Sequence, residues 1–399
     1  MEEIEKLAEI AQEQQDKEIA QDPSTRDIIS IVHEFIQKEK VMCYGGTAIN
    51  NILPKKEHFY DYRKDVPDYD FFSETPQKHA KKLADIIFSN GYKDTEVKPG
   101  IHLGTYKVFS NYLGVADITF LAKPIFEELW EDSIVKDDIH YVPPNFLRMS
   151  MYLELSRPRG DVSRWKKIFT RLTLLNKHYP IKCSVPLMEH TDVVESKEDI
   201  QNIMIKENAI LLGFNAVDYS KTREWSFPID VLVDPENYDN LIDELTKVID
   251  GKSKSYRDFN KLLPEHTDIH KHTHLIRVYK ANACHSYYEI TKGTLKVASI
   301  PTLLQFFLAS IYAPTHFKEN IPQSQFICTS QQLIEMANKS GKKYKLLTPL
   351  TCIGHQETKT DMLKHKSELY EKLSGNKKSK QFYNNFYTYK PKNKTQRKK

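Results

Sequence analysis

Cysteine is sparse in this chain and follows no pattern. The 399 residues hold five, Cys43, Cys183, Cys284, Cys328 and Cys352, with no Cys-x-x-Cys pair. That argues against a structural zinc site and predicts reduced thiols in a cytosol-like compartment. Long apolar runs are missing as well. LLQFFLASIYA at 303–313 is the longest, short of the roughly 20 residues that cross a bilayer, so no membrane attachment is expected. The N-terminus lacks the basic-then-apolar form of a secretory leader. Net charge is only +4, which by itself assigns no polyanionic partner. What remains is ordinary globular composition, 40% hydrophobic and 28% charged, in a length that suits two or more domains.

Charge is unevenly placed. Residues 1–22 are acidic, whereas KKSKQFYNNFYTYKPKNKTQRKK at 377–399 has no Asp or Glu. That tail interleaves its bases with Phe382, Tyr383, Phe386, Tyr387 and Tyr389. Such a mixture suits single-stranded nucleic acid, by phosphate neutralisation and base stacking. It equally suits a solvated, disordered terminus.

Two amphipathic helices are predicted at 3–20 and 26–40. The apolar piece VMCY then meets Gly45-Gly46, and TAINNIL at 47–53 starts a helix. The polar segment 54–66 reads as a loop, VPDYDFF as a strand and 75–92 as a helix opened by Pro76 and closed by Gly91. TYKVFSNY at 105–112 and GVADITFL at 114–121 read as a hairpin. The order of elements is that of an α/β unit on a small mixed sheet. Helices at 142–158 and 161–179 follow, the second with a basic face.

The chemistry-bearing residues cluster early. Asp68 and Asp70 are spaced i, i+2, so on a strand they share a face. Adjacent carboxylates repel unless a cation separates them. Asp117 is a further carboxylate on a strand otherwise suited to a core, and buried acids need partners. Three carboxylates on neighbouring strands can hold two Mg²⁺ or Mn²⁺ ions about 3.5–4 Å apart, the spacing of in-line phosphoryl transfer. Gly45, Gly46 and Thr47 are placed to cradle phosphates through backbone and hydroxyl donors. The bases Arg157, Arg159, Arg164, Lys166, Lys167 and Arg171 read either as a solvated helix face or as triphosphate and RNA contacts, with Lys166 and Lys167 the nucleotide-binding candidates. HTDIHKHTH at 266–274 has no matching carboxylate pattern and reads as structural rather than metal-binding.

The second half reads as a faded copy. KENAILLGFNAVDY at 206–219 echoes EKVMCYGGTAINNI, and FPIDVLVDPENYDNLIDELTKVI echoes PDYDFFSETPQKHAKKLADII. In the copy the glycine pair shrinks to Gly213 and Asp-x-Asp becomes Pro228-Ile229-Asp230. A two-metal site cannot be rebuilt from that, so this half is expected to be silent.

A Gly-Gly/Ser turn, a helix, Asp-x-Asp and a third strand Asp resemble the signature of the nucleotidyltransferase superfamily of DNA polymerase β. Gly45, Gly46, Thr47, Asp68, Asp70 and Asp117 match it, with a longer interval before Asp68 than most members have. Beyond that core, YGGTAINNIL…DYDFF…ADITFL…SRPRGDVSRWKKIFTRLTLLN is similar to the poly(A) polymerase catalytic subunit of large DNA viruses of the poxvirus and mimivirus type, above all the giant-virus enzymes. The resemblance implies an α/β (α+β) fold: a nucleotidyltransferase palm with a mixed sheet and flanking helices, then a second, degenerate nucleotidyltransferase-like domain. The pattern along the chain sets the boundaries at 1–40 for N-terminal helices, 41–190 for the catalytic domain with its helical extension, 191–375 for the second domain and 376–399 for a disordered basic tail. The resemblance further implies transfer of AMP from ATP to RNA 3′ ends with Mg²⁺ or Mn²⁺, catalysed by Asp68, Asp70 and Asp117. A homodimer or a processivity partner, a cytoplasmic or virion location and no membrane come with it. The same acids would also serve a CCA-adding, uridylyl- or oligoadenylate-forming enzyme, or survive in a non-catalytic RNA-binding protein.

Overall fold

The computed structural model describes residues 2–188, 193–217, 224–290, 295–318, 321–339 and 348–391. Two units can be separated: 1–143 together with 359–399, and 144–358.

The first unit opens with α1 (Glu2–Gln21) and α2 (Pro23–Lys38). Pro23 lies in the first turn of α2, where its missing N–H would have had no helical partner, and Asp22 caps the helix by accepting from Thr25 N at 2.7 Å. Ile28, Val32, Phe35 and Ile36 recur at helical spacing and are buried. β1 (Met42–Tyr44) runs directly into α3 (Gly45–Ile52). After a loop come β2 (Tyr69–Ser73) and α4 (Pro76–Ser89), whose Ala80, Leu83, Ala84 and Ile87 are buried. β3 (Thr95–Pro99), β4 (Thr105–Ser110) and β5 (Leu113–Phe120) form a meander. α5 (Lys123–Glu131), β6 (Ile134–Lys136) and β7 (Ile139–Tyr141) complete this stretch.

The sheet order is β3-β4-β5-β2-β1-β7-β6. β2 pairs with β5 and β1 with β7 in parallel, and the other pairs are antiparallel. β2 and β5 lie inside the sheet, with Phe71 and Ile118 fully buried. Truncating Phe71 to Ala would cost about 3–5 kcal/mol, so the strands that carry Asp70 and Asp117 are firmly held.

The second unit starts with α6 (Pro144–Leu155) and α7 (Trp165–His178). From sequence both helices are grouped with the first domain; they lie in the second unit, where Phe146 meets Tyr312 edge-on at 5.4 Å. α8 (Lys197–Lys206), β8 (Ile210–Leu212), α9 (Phe214–Val217) and β9 (Ile229–Val233) follow. Next are α10 (Tyr238–Ile249), β10 (Lys252–Tyr256), β11 (His266–Lys271) and β12 (His274–Lys280). β13 (His285–Glu289) and β14 (Lys296–Ala298) lead to α11 (Ile300–Ile311), which is buried at every residue. That burial explains its largely apolar sequence: it is a core helix, and no described helix is long and apolar enough to cross a membrane. α12 (Thr315–Lys318), α13 (Gln323–Lys339) and β15 (Cys352–Ile353) end the unit. The second sheet runs β10-β11-β12-β9-β8-β14-β13-β15. Its first five strands repeat the order and the pair directions of β3-β4-β5-β2-β1. The mixed-sheet α/β fold expected from sequence is the one the chain adopts.

Two expectations need correction. Four of the five cysteines are paired, Cys183 with Cys328 and Cys284 with Cys352, at Cα separations of 4.6 and 5.3 Å. Only the buried Cys43 is left as a thiol. The partners are 145 and 68 residues apart, so spacing gave no hint of them. The tail is not disordered through its described part. α14 (Lys359–Ser374) and α15 (Lys380–Asn385) belong to the first unit. Tyr106 donates to Asn384 O at 2.8 Å, Tyr389 donates to Asp85 at 2.9 Å, and both Tyr387 and Tyr389 are buried. The aromatics supply apolar area that outweighs the basic charge. Residues 392–399 of the expected tail lie outside the described residues.

Candidate functional site

The turn between β1 and α3 is where the backbone is most constrained. Gly45 has φ +73, and a Cβ there would stand 2.5 Å from Asp70 Oδ2. Only glycine fits both demands. Thr47 Oγ1 donates to Asp68 O at 2.7 Å and so ties the first turn of α3 to the start of β2. Gly45, Gly46 and Thr47 are thus gathered beside the acids.

Asp70 stands opposite Asp117 in the parallel β2–β5 pair, opposite Tyr44 in β1, and Asp117 stands opposite Lys107 in β4. One row therefore crosses four strands: Lys107, Asp117, Asp70, Tyr44. The Lys107 ammonium donates to Asp117 Oδ2. Asp68 lies just before β2, exposed, with buried Tyr69 between it and Asp70. Tyr44 forms the floor. Its ring stacks on Phe72 at 3.9 Å and its hydroxyl bonds Thr119 Oγ1 at 2.9 Å. Burial, then the fields of Asp70, Asp117 and Asp68, hold the Tyr44 hydroxyl well above the usual phenol range. The Cys43 thiol behind them is pushed up too, by burial first and Asp70 second.

The second sheet carries the matching row with different charges. Asp268, Arg277, Asp230 and Leu212 occupy the same register steps. Arg277 grips Asp268 through Nε at 2.7 Å and Nη2 at 3.0 Å. Gly213, at φ +66, faces Asp230 as Gly45 faces Asp70. Asn215 Nδ2 donates to Pro228 O at 3.0 Å, as Thr47 does to Asp68. Phe214 replaces Gly46, and its ring packs against Phe307 and Phe326 at 5.1 and 6.0 Å. A cavity of ≈ 30 Å³ remains beside Asp230 and Arg277, room for water and not for a nucleotide.

The two rows test whether the first one suits divalent metal. Among the described residues no three His, Cys, Asp or Glu side chains are already drawn into a metal cluster. The fit lies in charge. In the second row an arginine separates two acids. In the first, two acids stand side by side, a destabilising neighbourhood for like charges. Hard divalent cations take carboxylate oxygens, and Asp70 and Asp117, with Asp68 at the rim, offer them.

Lys166 and Lys167 are exposed on α7, in the second unit. Arg164 pairs with Glu154 at 3.2 Å, and burial draws the Arg157 guanidinium down to about 10. The histidine run is dispersed. His266 is buried among the rings of Tyr256, Tyr279 and Phe317, and His274 stacks on Phe227 at 4.2 Å. Sequence reading missed Tyr44, Lys107 and Arg277. Thr105 and Lys107, polar and two apart at the start of TYKVFS, were the available signal for Lys107.

Residues 30–161 match the poly(A) polymerase catalytic subunit family. The match covers the turn, the strand acids and Asp117. A putative poly(A) polymerase catalytic subunit of African swine fever virus (strain Badajoz 1971 Vero-adapted) is 31% identical over 175 residues, 42% of this chain and 36% of the relative. One from Acanthamoeba polyphaga mimivirus is 30% identical over 199 residues, 49% of this chain and 33% of the relative. The matched stretch thus spans about a third of these poly(A) polymerase subunits. The crystal structure of the Megavirus polyadenylate synthase shares the fold, with a TM-score of 0.78 at 21% identity over 94% of this chain and 83% of that one.

Proposed function

We propose that the chain is a template-independent polyadenylate polymerase that adds AMP from ATP to RNA 3′ ends. The observation that carries this is the row in which Asp70 and Asp117 stand side by side next to the Gly45 turn, within a stretch matching the poly(A) polymerase catalytic subunit family.

In this reading Asp68, Asp70 and Asp117 hold two Mg²⁺ or Mn²⁺ ions. Bound there, the ions would lower the pKa of the attacking hydroxyl and neutralise the triphosphate. Gly45 and Gly46 offer backbone N–H groups to the β- and γ-phosphates, and Thr47 holds the turn in place. The RNA 3′ oxygen bonds to the α-phosphorus while the bond to the β-phosphate bridging oxygen breaks and pyrophosphate leaves. Asp117 would serve the acceptor side and could take up the hydroxyl proton. Catalysis is then positioning and charge neutralisation.

The second unit, on this reading, is a degenerate nucleotidyltransferase-like domain. Its repeated strand order, Phe214 in the phosphate turn and Arg277 in place of the third acid support that. The reading also carries a cytoplasmic site of action and a homodimer, or a processivity partner, as the working form.

The test is primer extension on RNA with each of the four nucleoside triphosphates, with Mg²⁺ and with Mn²⁺. Extension with ATP alone is expected. UTP or CTP incorporation would redirect the reading to another member of the superfamily, and no incorporation at all would reject an active enzyme.

A further inference from the structure

We propose that Lys107 is the resident counter-ion of Asp117, and that its displacement sets how tightly a divalent ion is held at that carboxylate. The inference rests on the metal-dependent reading above.

Three observations carry it. The antiparallel register puts Lys107 opposite Asp117, and its ammonium donates to Oδ2. The next member of the row is another carboxylate, Asp70, so the ammonium relieves a repulsion that the bare row would contain. The corresponding step of the second sheet is also an ion pair, Asp268 with Arg277, with both signs reversed. The two pairs differ in mobility. Side-chain exposure is 42% for Lys107 and 24% for Asp117, against 6% for Arg277 and 2% for Asp268. Arg277, buried in its bidentate pair, is a permanent cation in its row. The lysine, a strongly hydrated charge on a flexible stem, has water to swing into when an incoming ion takes Oδ2. Lys107 is thus a positioning residue: it holds Asp117 oriented in the metal-free site, and it competes with the metal.

Mn²⁺ binding to the full chain, followed by electron paramagnetic resonance at fixed pH and ionic strength, tests this directly. Lys107→Met should tighten Mn²⁺ about fivefold, the equivalent of an ion pair worth roughly 1 kcal/mol. Lys107→Gln is run alongside with the same expectation, and Lys107→Arg should stay within about twofold of wild type. In EDTA the Met variant should melt lower than wild type, and the difference should shrink with saturating Mn²⁺. Equal or weaker Mn²⁺ binding by both neutral variants, with wild type still binding, overturns the role of Lys107. If wild type binds no Mn²⁺, or Asp117→Asn binds as wild type does, the metal site itself is rejected and this inference with it.

Discussion

Gly45 and Asp70 are in contact across the β1–β2 pair so closely that no side chain can be added at Gly45. Gly45→Ala should therefore move the Asp70 carboxylate. Left-handed backbone costs about 1–2 kcal/mol for alanine, and the clash adds to it. Primer extension should fall at least about a hundredfold while circular dichroism stays that of wild type. Gly213→Ala faces the same clash in the second unit and should lower stability without a comparable loss of extension.

Asp70→Asn and Asp117→Asn remove charge and keep shape. Extension should drop below about 1% in each, on the scale of losing a principal charge-stabilising group. RNA affinity by fluorescence anisotropy should stay within about twofold, since counter-ion release comes from basic residues elsewhere. Retention of a tenth of wild-type extension in either would reject the assignment.

Burial raises the Asp230 carboxyl to about 6, Arg277 opposing and Asp268 adding. Its ordinary value is 3.8. Between these values the folded chain keeps a proton that the unfolded chain has lost. Stability should then fall as pH rises through that window and level off above it. Asp230→Asn cancels this contribution, so the gap in urea midpoint between Asn variant and wild type should widen from pH 4 to pH 6. A constant gap would refute the burial effect. Arg277→Met, which strands two buried acids, should cost about 3–5 kcal/mol.

The end of the chain needs two truncations to separate its roles. Stopping after Ser374 removes the buried Tyr387 and Tyr389 and should lower the melting temperature of the first unit. Stopping after Pro391 keeps Tyr387 and Tyr389 and, if the last residues bind RNA, should weaken affinity and flatten its salt dependence. Tyr389→Phe, which loses only the bond to Asp85, should cost about 1 kcal/mol.

Thiol titration of denatured, unreduced protein should find one thiol per chain, that of Cys43. Five would show both disulfides open.

Local patterns made part of this legible. Glycine beside a strand, acids at alternate positions and Pro76 at a helix start are all read within a few residues. Lys107 and Arg277 were not, because their meaning lies in register: each looks like a solvent-facing strand residue until its partner strand is known. The histidines at 266–274 drew attention by number, while Asp268 among them carries the ion pair. The tail was misjudged because charge is counted before packing, and its aromatics have somewhere to pack only once β4 and α4 are folded.

The buried row Asp268–Arg277–Asp230 also acts as a ratchet. Changing Arg277 to an acid alone would leave three neighbouring buried carboxylates, and changing Asp268 alone would take the guanidinium's bidentate partner away. Any route from this row to one like Lys107–Asp117–Asp70 must pass through a destabilised sheet. The charge order of the second row is thus easy to keep and costly to reverse by single substitutions.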